Sequence, residues 1–163
     1  MFYEFYASPL GEMTLASNDK KSLCALFFSE QNSFKNPLEF YKKDCEIFLQ
    51  TKAWLDVYFS GQKPDFTPKI DLNVSEFKMR VYEHLPSYAQ SSSYGLLAKN
   101  LAKKLGKNKI SAQAIGAALA KNPILLIIPC HRVLGANAEL KGYTAGIWRK
   151  KELLKLEKID FKE

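Results

Sequence analysis

Cys130 and His131 sit side by side in Ile127-Ile128-Pro129-Cys130-His131-Arg132, behind an apolar run. A thiol attacks as thiolate, and a free cysteine with a pKa of about 8.5 is only a few per cent ionised at neutral pH. A neighbouring imidazole titrates in the range needed to take that proton. Residues 124–128 read as a buried strand or extended segment, and Pro129 blocks its continuation, so Cys130 is predicted at a fixed turn. On a continuing strand the two side chains would point to opposite faces, so cooperation requires the backbone to turn or a water to bridge them. The same dipeptide also suits a small buried structural cysteine.

The elements that must position this pair fall into two halves. Residues 2–6, 13–16 and 23–28 read as short strands separated by turns at 8–11 and 18–21. An amphipathic helix is predicted over 39–59, with Ile47, Phe48, Trp54, Leu55, Tyr58 and Phe59 near helical spacing. Cys24 and Cys45 belong to these elements and read as packing residues. Residues 64–73 form a Pro-bearing connector, which divides the chain into residues 1–72 and 73–163.

The second half is predicted to be mostly helical. One helix covers 77–85 and stops at Pro86. Ser93 offers a cap for a helix over 94–105, closed by Gly106, and Ser111 caps another over 112–121. Two short helices joined by a basic, Gly-containing turn resemble a helix-turn-helix. The second is nearly bare of long side chains: Ala112, Ala114, Gly116, Ala117, Ala118 and Ala120 leave only Gln113, Lys121 and Asn122 to read bases. A final helix over 146–161 carries Lys150, Lys151, Lys155 and Lys158 beside Leu153, Leu154 and Leu156.

The 163 residues carry a formal net charge of +7, unevenly spread: residues 1–72 hold 8 Lys and 10 Asp/Glu, residues 73–163 hold 16 Lys/Arg and 7 Asp/Glu. A basic half suits a polyanionic partner, most simply nucleic acid, and also a solvated lysine-rich surface. No apolar run approaches the length of a membrane span, and the first residues lack a signal-peptide pattern. Three well-separated cysteines argue against a disulfide framework and for the cytoplasm, and their spacing has no metal-binding pattern.

Several blocks around the thiol resemble the O6-alkylguanine-DNA alkyltransferases, the methylated-DNA–protein-cysteine methyltransferases. They are Ser93-Tyr94-Gly95, Ala114-Ile115-Gly116, Lys121-Asn122-Pro123, Pro129-Cys130-His131-Arg132-Val133, Gly142-Tyr143-Thr144-Ala145-Gly146, and Leu153-Leu154 with Glu157. The match covers about residues 72–157, and Ser8-Pro9-Leu10-Gly11 looks like the family's N-terminal domain. The resemblance implies an α+β protein: a small N-terminal α/β, ribonuclease-H-like domain and a mostly helical C-terminal domain with a helix-turn-helix.

It also implies a reaction. Cys130 would take the alkyl group from guanine O6 irreversibly, turning over once, with His131 relaying the thiol proton through a water and Glu157 holding the imidazole. Tyr94 would donate a proton to the departing guanine, and Asn122 would tie the active turn to the DNA-binding helix. Leu119, Val133, Tyr143 and Thr144 would surround the base. Because O6 is out of reach inside a duplex, the base must be flipped. The family does this from the minor groove, so Ala112, Gln113, Ala114, Gly116 and Ala117 are expected against DNA, with Ser93, Lys109, Lys121 and Arg132 nearby. No cofactor and no metal are implied, and the expected partner is double-stranded DNA bound by a monomer.

Three positions depart from the family pattern. Gln113 stands where the family normally places an intercalating arginine, Tyr82 replaces a usual Trp, and the stretch 85–93 is one residue longer than typical, reading Pro86-Ser87-Tyr88. Two other readings of the residues remain at this point: a non-catalytic damage-recognition module, against which Cys130 argues, and a thiol hydrolase, which only the Cys-His pair supports.

Overall fold

A computed structural model describes residues 1–31, 41–42 and 44–163. The chain divides into two compact units: Met1–Asn73 with Pro123–Ile127, and Val74–Asn122 with Ile128–Glu163.

The first unit is a sheet with a helix against it. Strands β1 (Phe2–Ser8) and β2 (Gly11–Ser17) form a hairpin, β3 (Ala25–Phe28) pairs antiparallel with β2, and β4 (Tyr41–Lys42) pairs parallel with β1. The hairpin turns at Pro9-Leu10; Ser8 Oγ donates to the Gly11 carbonyl at 2.6 Å, and Gly11 takes φ 120°, where glycine carries no Cβ penalty. Helix α1 (Glu46–Phe59) lays Ile47, Phe48, Thr51, Trp54, Leu55 and Tyr58 inward, a spacing of three and four that makes one face. The sequence expectation of a helix from residue 39 is corrected at its start: the backbone at 41–42 is strand and the helix begins at Glu46, while residues 39 and 40 lie outside the described residues.

The run 124–128 is not a continuous strand. Ile124 bridges Leu26, Leu125 N–H donates to the Leu26 carbonyl at 2.8 Å, and Leu126 then takes a left-handed φ of 69°. An extended strand cannot pass through that conformation. This break lets the chain leave the first unit and re-enter the second within a few residues.

In the second unit, α2 (Glu76–Glu83), α3 (Tyr94–Lys104) and α4 (Ala112–Ala120) pack on one another. Each has a serine cap: Ser75 Oγ accepts from Lys78 N–H at 3.3 Å, Ser93 Oγ from Leu96 N–H at 3.0 Å, Ser111 Oγ from Ala114 N–H at 3.1 Å. Helix α3 ends in a Schellman motif, with Gly106 at φ 66°, Gly106 N–H on the Lys103 carbonyl and Lys107 N–H on the Ala102 carbonyl. Strand β5 (Ser92–Ser93) leads directly into α3 and pairs parallel with β6 (Val133–Leu134), which directly follows the Cys130–Arg132 turn. That register brings the start of α3, and so Tyr94, to the thiol. Helix α5 (Ile147–Leu156) buries Arg149, Lys150, Leu153 and Leu154. No helix among the described residues is long and apolar enough to cross a membrane.

Candidate active site

Pro129 sits at φ −85°, ψ 61°, an inverse γ-turn that Cys130 N–H closes by donating to the Ile128 carbonyl at 2.9 Å. A single 3-10 turn, Cys130–Arg132, follows. The backbone therefore does turn at the Cys-His pair, and three consecutive functional side chains leave it in different directions.

The thiol opens on a cavity of about 340 Å³ lined by Tyr94, Gly116, Leu119, Ala120, Cys130, Gly142, Tyr143 and Thr144. Cys130 itself is 6% exposed. Burial pushes its thiol up, offset in part by Asn122 and by the charge of Lys150. Asn122, just past α4, donates through Nδ2 to the Ile128 carbonyl at 2.8 Å and to Cys130 Sγ at 3.3 Å. A donor aimed at sulfur favours the thiolate. Thr144 Oγ1 donates to the Ala120 carbonyl at 3.3 Å and straps the 142–144 loop to α4. The Tyr143 hydroxyl is buried and has no hydrogen-bond partner among the described residues. Burial first, then the charge of Cys130, raises Tyr94 and Tyr143, so both rings stay protonated donors.

Behind the thiol, His131 is wholly buried and its Nε2 makes a short hydrogen bond with Glu157 Oε2. A carboxylate only accepts, so Nε2 carries the proton and Nδ1 keeps its lone pair. Burial holds the imidazole pKa below its usual range despite the carboxylate, which raises it. The other oxygen, Oε1, accepts from Arg132 Nε at 2.8 Å and from Ala89 N–H at 3.1 Å. Arg132 Nη1 also donates to the Pro86 carbonyl at 2.9 Å, and its guanidinium lies 5.7 Å from the centre of the Tyr88 ring. The stretch 85–93 is thus a brace for Glu157. Ala89 takes φ 61° to present its N–H, a left-handed conformation that favours glycine.

The expected residues sort as follows. Cys130, Tyr94, Gly116, Leu119, Tyr143 and Thr144 share the cavity, with Asn122, His131 and Glu157 bonded behind it. Val133 does not line the cavity: its side chain is buried and its carbonyl accepts from Lys150 Nζ at 2.7 Å. Arg132 is corrected from a DNA contact to an inward grip on Glu157, being 7% exposed. Ser93 spends its hydroxyl on the α3 cap. Gln113, Ala117, Lys109 and Lys121 are exposed, and Ala112 and Ala114 are half-buried on α4. Tyr82, in place of Trp, is buried and donates to the Ala118 carbonyl at 2.8 Å, so the exchange is satisfied.

Sequence reasoning missed Lys150, as it missed Ala89 and the cavity-lining Ala120 and Gly142. Lys150 is wholly buried, donates to the Val133 carbonyl, and its ammonium lies 5.8 Å from the centre of the Tyr94 ring. Burial brings its pKa down to about 8, against the charge of Cys130, which raises it. A signal existed: Lys150, Leu153, Leu154 and Glu157 repeat at three, four and seven, the inward stripe of the helix.

Comparison with known proteins meets the same arrangement. Residues 76–159 match the model of the 6-O-methylguanine DNA methyltransferase DNA binding domain, and residues 1–72 that of the ribonuclease-like domain of the same proteins. A methylated-DNA–protein-cysteine methyltransferase of Methanosarcina acetivorans is 33% identical over 159 residues, covering 96% of this chain and 98% of the relative. One from Sulfurisphaera tokodaii is 36% identical, covering 97% and 94%. The crystal structure of the Mycobacterium tuberculosis O6-methylguanine methyltransferase superposes with a TM-score of 0.80 at 36% identity over 96% of this chain and 92% of that one. The crystal structure of Mycobacterium tuberculosis OGT in complex with DNA matches at the same TM-score of 0.80 and 36% identity, over 97% of this chain and 93% of that one. With both domain models matched in order and relatives aligned almost end to end, this α+β chain, a buried thiol backed by His131 and Glu157, belongs to the 6-O-methylguanine DNA methyltransferase family of DNA-repair proteins.

Proposed function

We propose that Cys130 takes the alkyl group from O6 of an alkylated guanine that has left a DNA duplex for the 340 Å³ cavity. The observation that carries this reading is the cavity itself: a nucleophilic sulfur at one wall and the protonated phenol of Tyr94 on another. The volume is near the small end of ligand sites, suited to one base.

The thiol proton passes to Nδ1 of His131, by resemblance through a water, while Nε2–H stays on Glu157. Sulfur attacks the alkyl carbon in line, forming the S–C bond as the C–O bond breaks. The leaving guanine would depart as an anion, and the Tyr94 hydroxyl supplies the proton. The product is a thioether, which no group in the site can cleave, so each chain reacts once. Helix α4 meets the duplex from the minor groove, its alanines and Gly116 letting backbone approach closely, and the protein works as a cytoplasmic monomer.

Incubation with a limiting, then an excess, amount of methyl-labelled O6-methylguanine duplex tests this. At most one methyl per chain is expected at any excess of substrate. Continued release of methylated product beyond one equivalent would mark a turning-over enzyme and defeat the proposal.

Gln113 sits exposed at the second position of α4, where it brings a neutral amide to the duplex. An amide fills space but stacks less well than guanidinium and adds no charge. Gln113→Arg is therefore expected to tighten DNA binding roughly three- to tenfold and to steepen its salt dependence by about one counterion. Fluorescence anisotropy across a salt series measures both; an unchanged affinity and repair rate would contradict the expectation.

A further inference from the structure

The turn that grips Glu157 lies on the surface. Past α2, Pro86 keeps the chain from resuming helix. Ser87-Tyr88-Ala89-Gln90 then form a turn, closed by Gln90 N–H donating to the Ser87 carbonyl at 3.0 Å. The side chains of Ser87, Ala89 and Gln90 are exposed, and Tyr88 is half-buried. Yet this turn sends three groups into the buried set behind the thiol. The Pro86 carbonyl accepts from Arg132 Nη1 at 2.9 Å, the Tyr88 ring centre lies 5.7 Å from the Arg132 guanidinium, and Ala89 N–H donates to Glu157 Oε1 at 3.1 Å.

Ala89 is the third residue of the turn, and its φ is 61°. A positive φ at that place goes with a turned-over peptide between the second and third residues, the peptide that carries the Ala89 N–H. With a negative φ the same N–H would face elsewhere. Alanine holds this conformation against a steric penalty that glycine escapes and β-branched residues feel most. Burial of the methyl group does not explain it, because the side chain is exposed. What the conformation achieves is the bond to Glu157, and a backbone outlier kept for such a contact points to a role in function.

We propose that Ala89 and Tyr88 are positioning residues for alkyl transfer, acting from the surface through Glu157 on His131. The proposal rests on the alkyl-transfer reading above. The last torsion of a glutamate side chain is soft, so one bond from Oε2 to His131 does not fix the plane of the carboxylate. Two donors on Oε1, Arg132 Nε and Ala89 N–H, remove that freedom. Arg132 is itself held by the Pro86 carbonyl and covered by the face of Tyr88. With the carboxylate fixed, Oε2 stays on Nε2–H of His131, and the Nδ1 lone pair remains the base that receives the thiol proton.

Single-turnover transfer from O6-methylguanine duplex is measured for Ala89→Gly and Ala89→Val, with Glu157 intact and in the Glu157→Gln background. Ala89→Val is expected to slow transfer about tenfold, the scale of one lost hydrogen bond to a charged group. Ala89→Gly is expected to match the wild-type rate or exceed it by up to about threefold. In Glu157→Gln there is no carboxylate left to position, so Ala89→Val is expected to add no further slowing. Tyr88→Leu, a second variant on the other arm of the brace, is expected to cost about threefold, with Tyr88→Phe restoring the rate. The proton resonance of His131 Nε2–H, moved downfield by its bond to Glu157, reports the same contact with no alkylguanine present. It is expected to shift upfield in Ala89→Val and Tyr88→Leu. Wild-type rates in both of these variants overturn the proposal, as does an unmoved resonance or an Ala89→Val effect of equal size in the Glu157→Gln background. A wild type that transfers no methyl would defeat the alkyl-transfer reading instead, and the resonance would still decide the positioning.

Discussion

Glu157→Gln is expected to slow alkyl transfer roughly a thousand- to ten-thousandfold, the upper end being the scale seen when the orienting acid of a nucleophile–His–acid set becomes an amide. The reason lies in the donors around it. Glu157 accepts from His131 on one oxygen and from Arg132 and Ala89 on the other. A glutamine has only one accepting oxygen. If that oxygen stays with Arg132 and Ala89, the amide NH₂ faces His131 and forces Nε2 to become the acceptor. The proton then moves to Nδ1, and the basic lone pair that should receive the thiol proton is gone. If the amide turns round, it sets its NH₂ against two buried donors, which costs stability as well. Single-turnover rates with O6-methylguanine duplex, alongside circular dichroism to confirm the fold, measure the effect. A variant that is folded and transfers at the wild-type rate would remove Glu157 from the mechanism.

Lys150→Met is expected to cut the neutral-pH transfer rate roughly ten- to a hundredfold and to move the pH profile upward, one unit of pKa being a factor of ten in thiolate near neutrality. Burial already pushes the Cys130 thiol up, and the Lys150 charge is one of the influences that bring it down. Removing that charge leaves a thiol that ionises only at higher pH. Because the Lys150 pKa is lowered to about 8, the wild type should begin to lose this help just above neutrality, whereas the methionine variant has none to lose. Met fills similar volume and lifts the desolvation cost of a buried ammonium, so the fold is expected to survive. Alkylation of the thiol by iodoacetamide across pH gives the thiolate fraction directly. Identical profiles in the two proteins would mean that Lys150 only holds the Val133 carbonyl.

What can be read from the residues, and what cannot, divides on sequence distance. Ser93 and Ser111 announce their helices because a cap acts over three residues. The β1–β2 hairpin is similarly local, with its turn residues beside its strands. The start of α1 is not legible in this way, because residues 41–42 are held by the strand at Phe2 and Tyr3, a distant pairing that leaves no periodic trace. The apolar run 124–128 has the composition of a strand, yet its two ends answer to different partners: Leu26 takes Leu125, and the Asn122 amide takes Ile128. Leu126 absorbs the difference in its left-handed backbone.

The site shows the same division. Cys130, His131 and their block are contiguous and legible. Arg132 looks like one more surface cation until a carboxylate 25 residues on turns it inward. Ala89 is invisible as a functional residue, since what it contributes is an N–H. Lys150 is legible in principle, but a lysine in a lysine-rich helix reads as solvated unless the three-four spacing is followed through it.

The most direct test is where the alkyl group goes. After reaction with O6-methylguanine duplex DNA, the protein is digested and its cysteine peptides are weighed. Cys24 and Cys45, both half-buried in the first unit, serve as internal controls. One methyl on the Cys130 peptide, none on the other two, and none anywhere in Cys130→Ala is the expected result. A methyl on Cys24 or Cys45, or transfer that persists in Cys130→Ala, would contradict it.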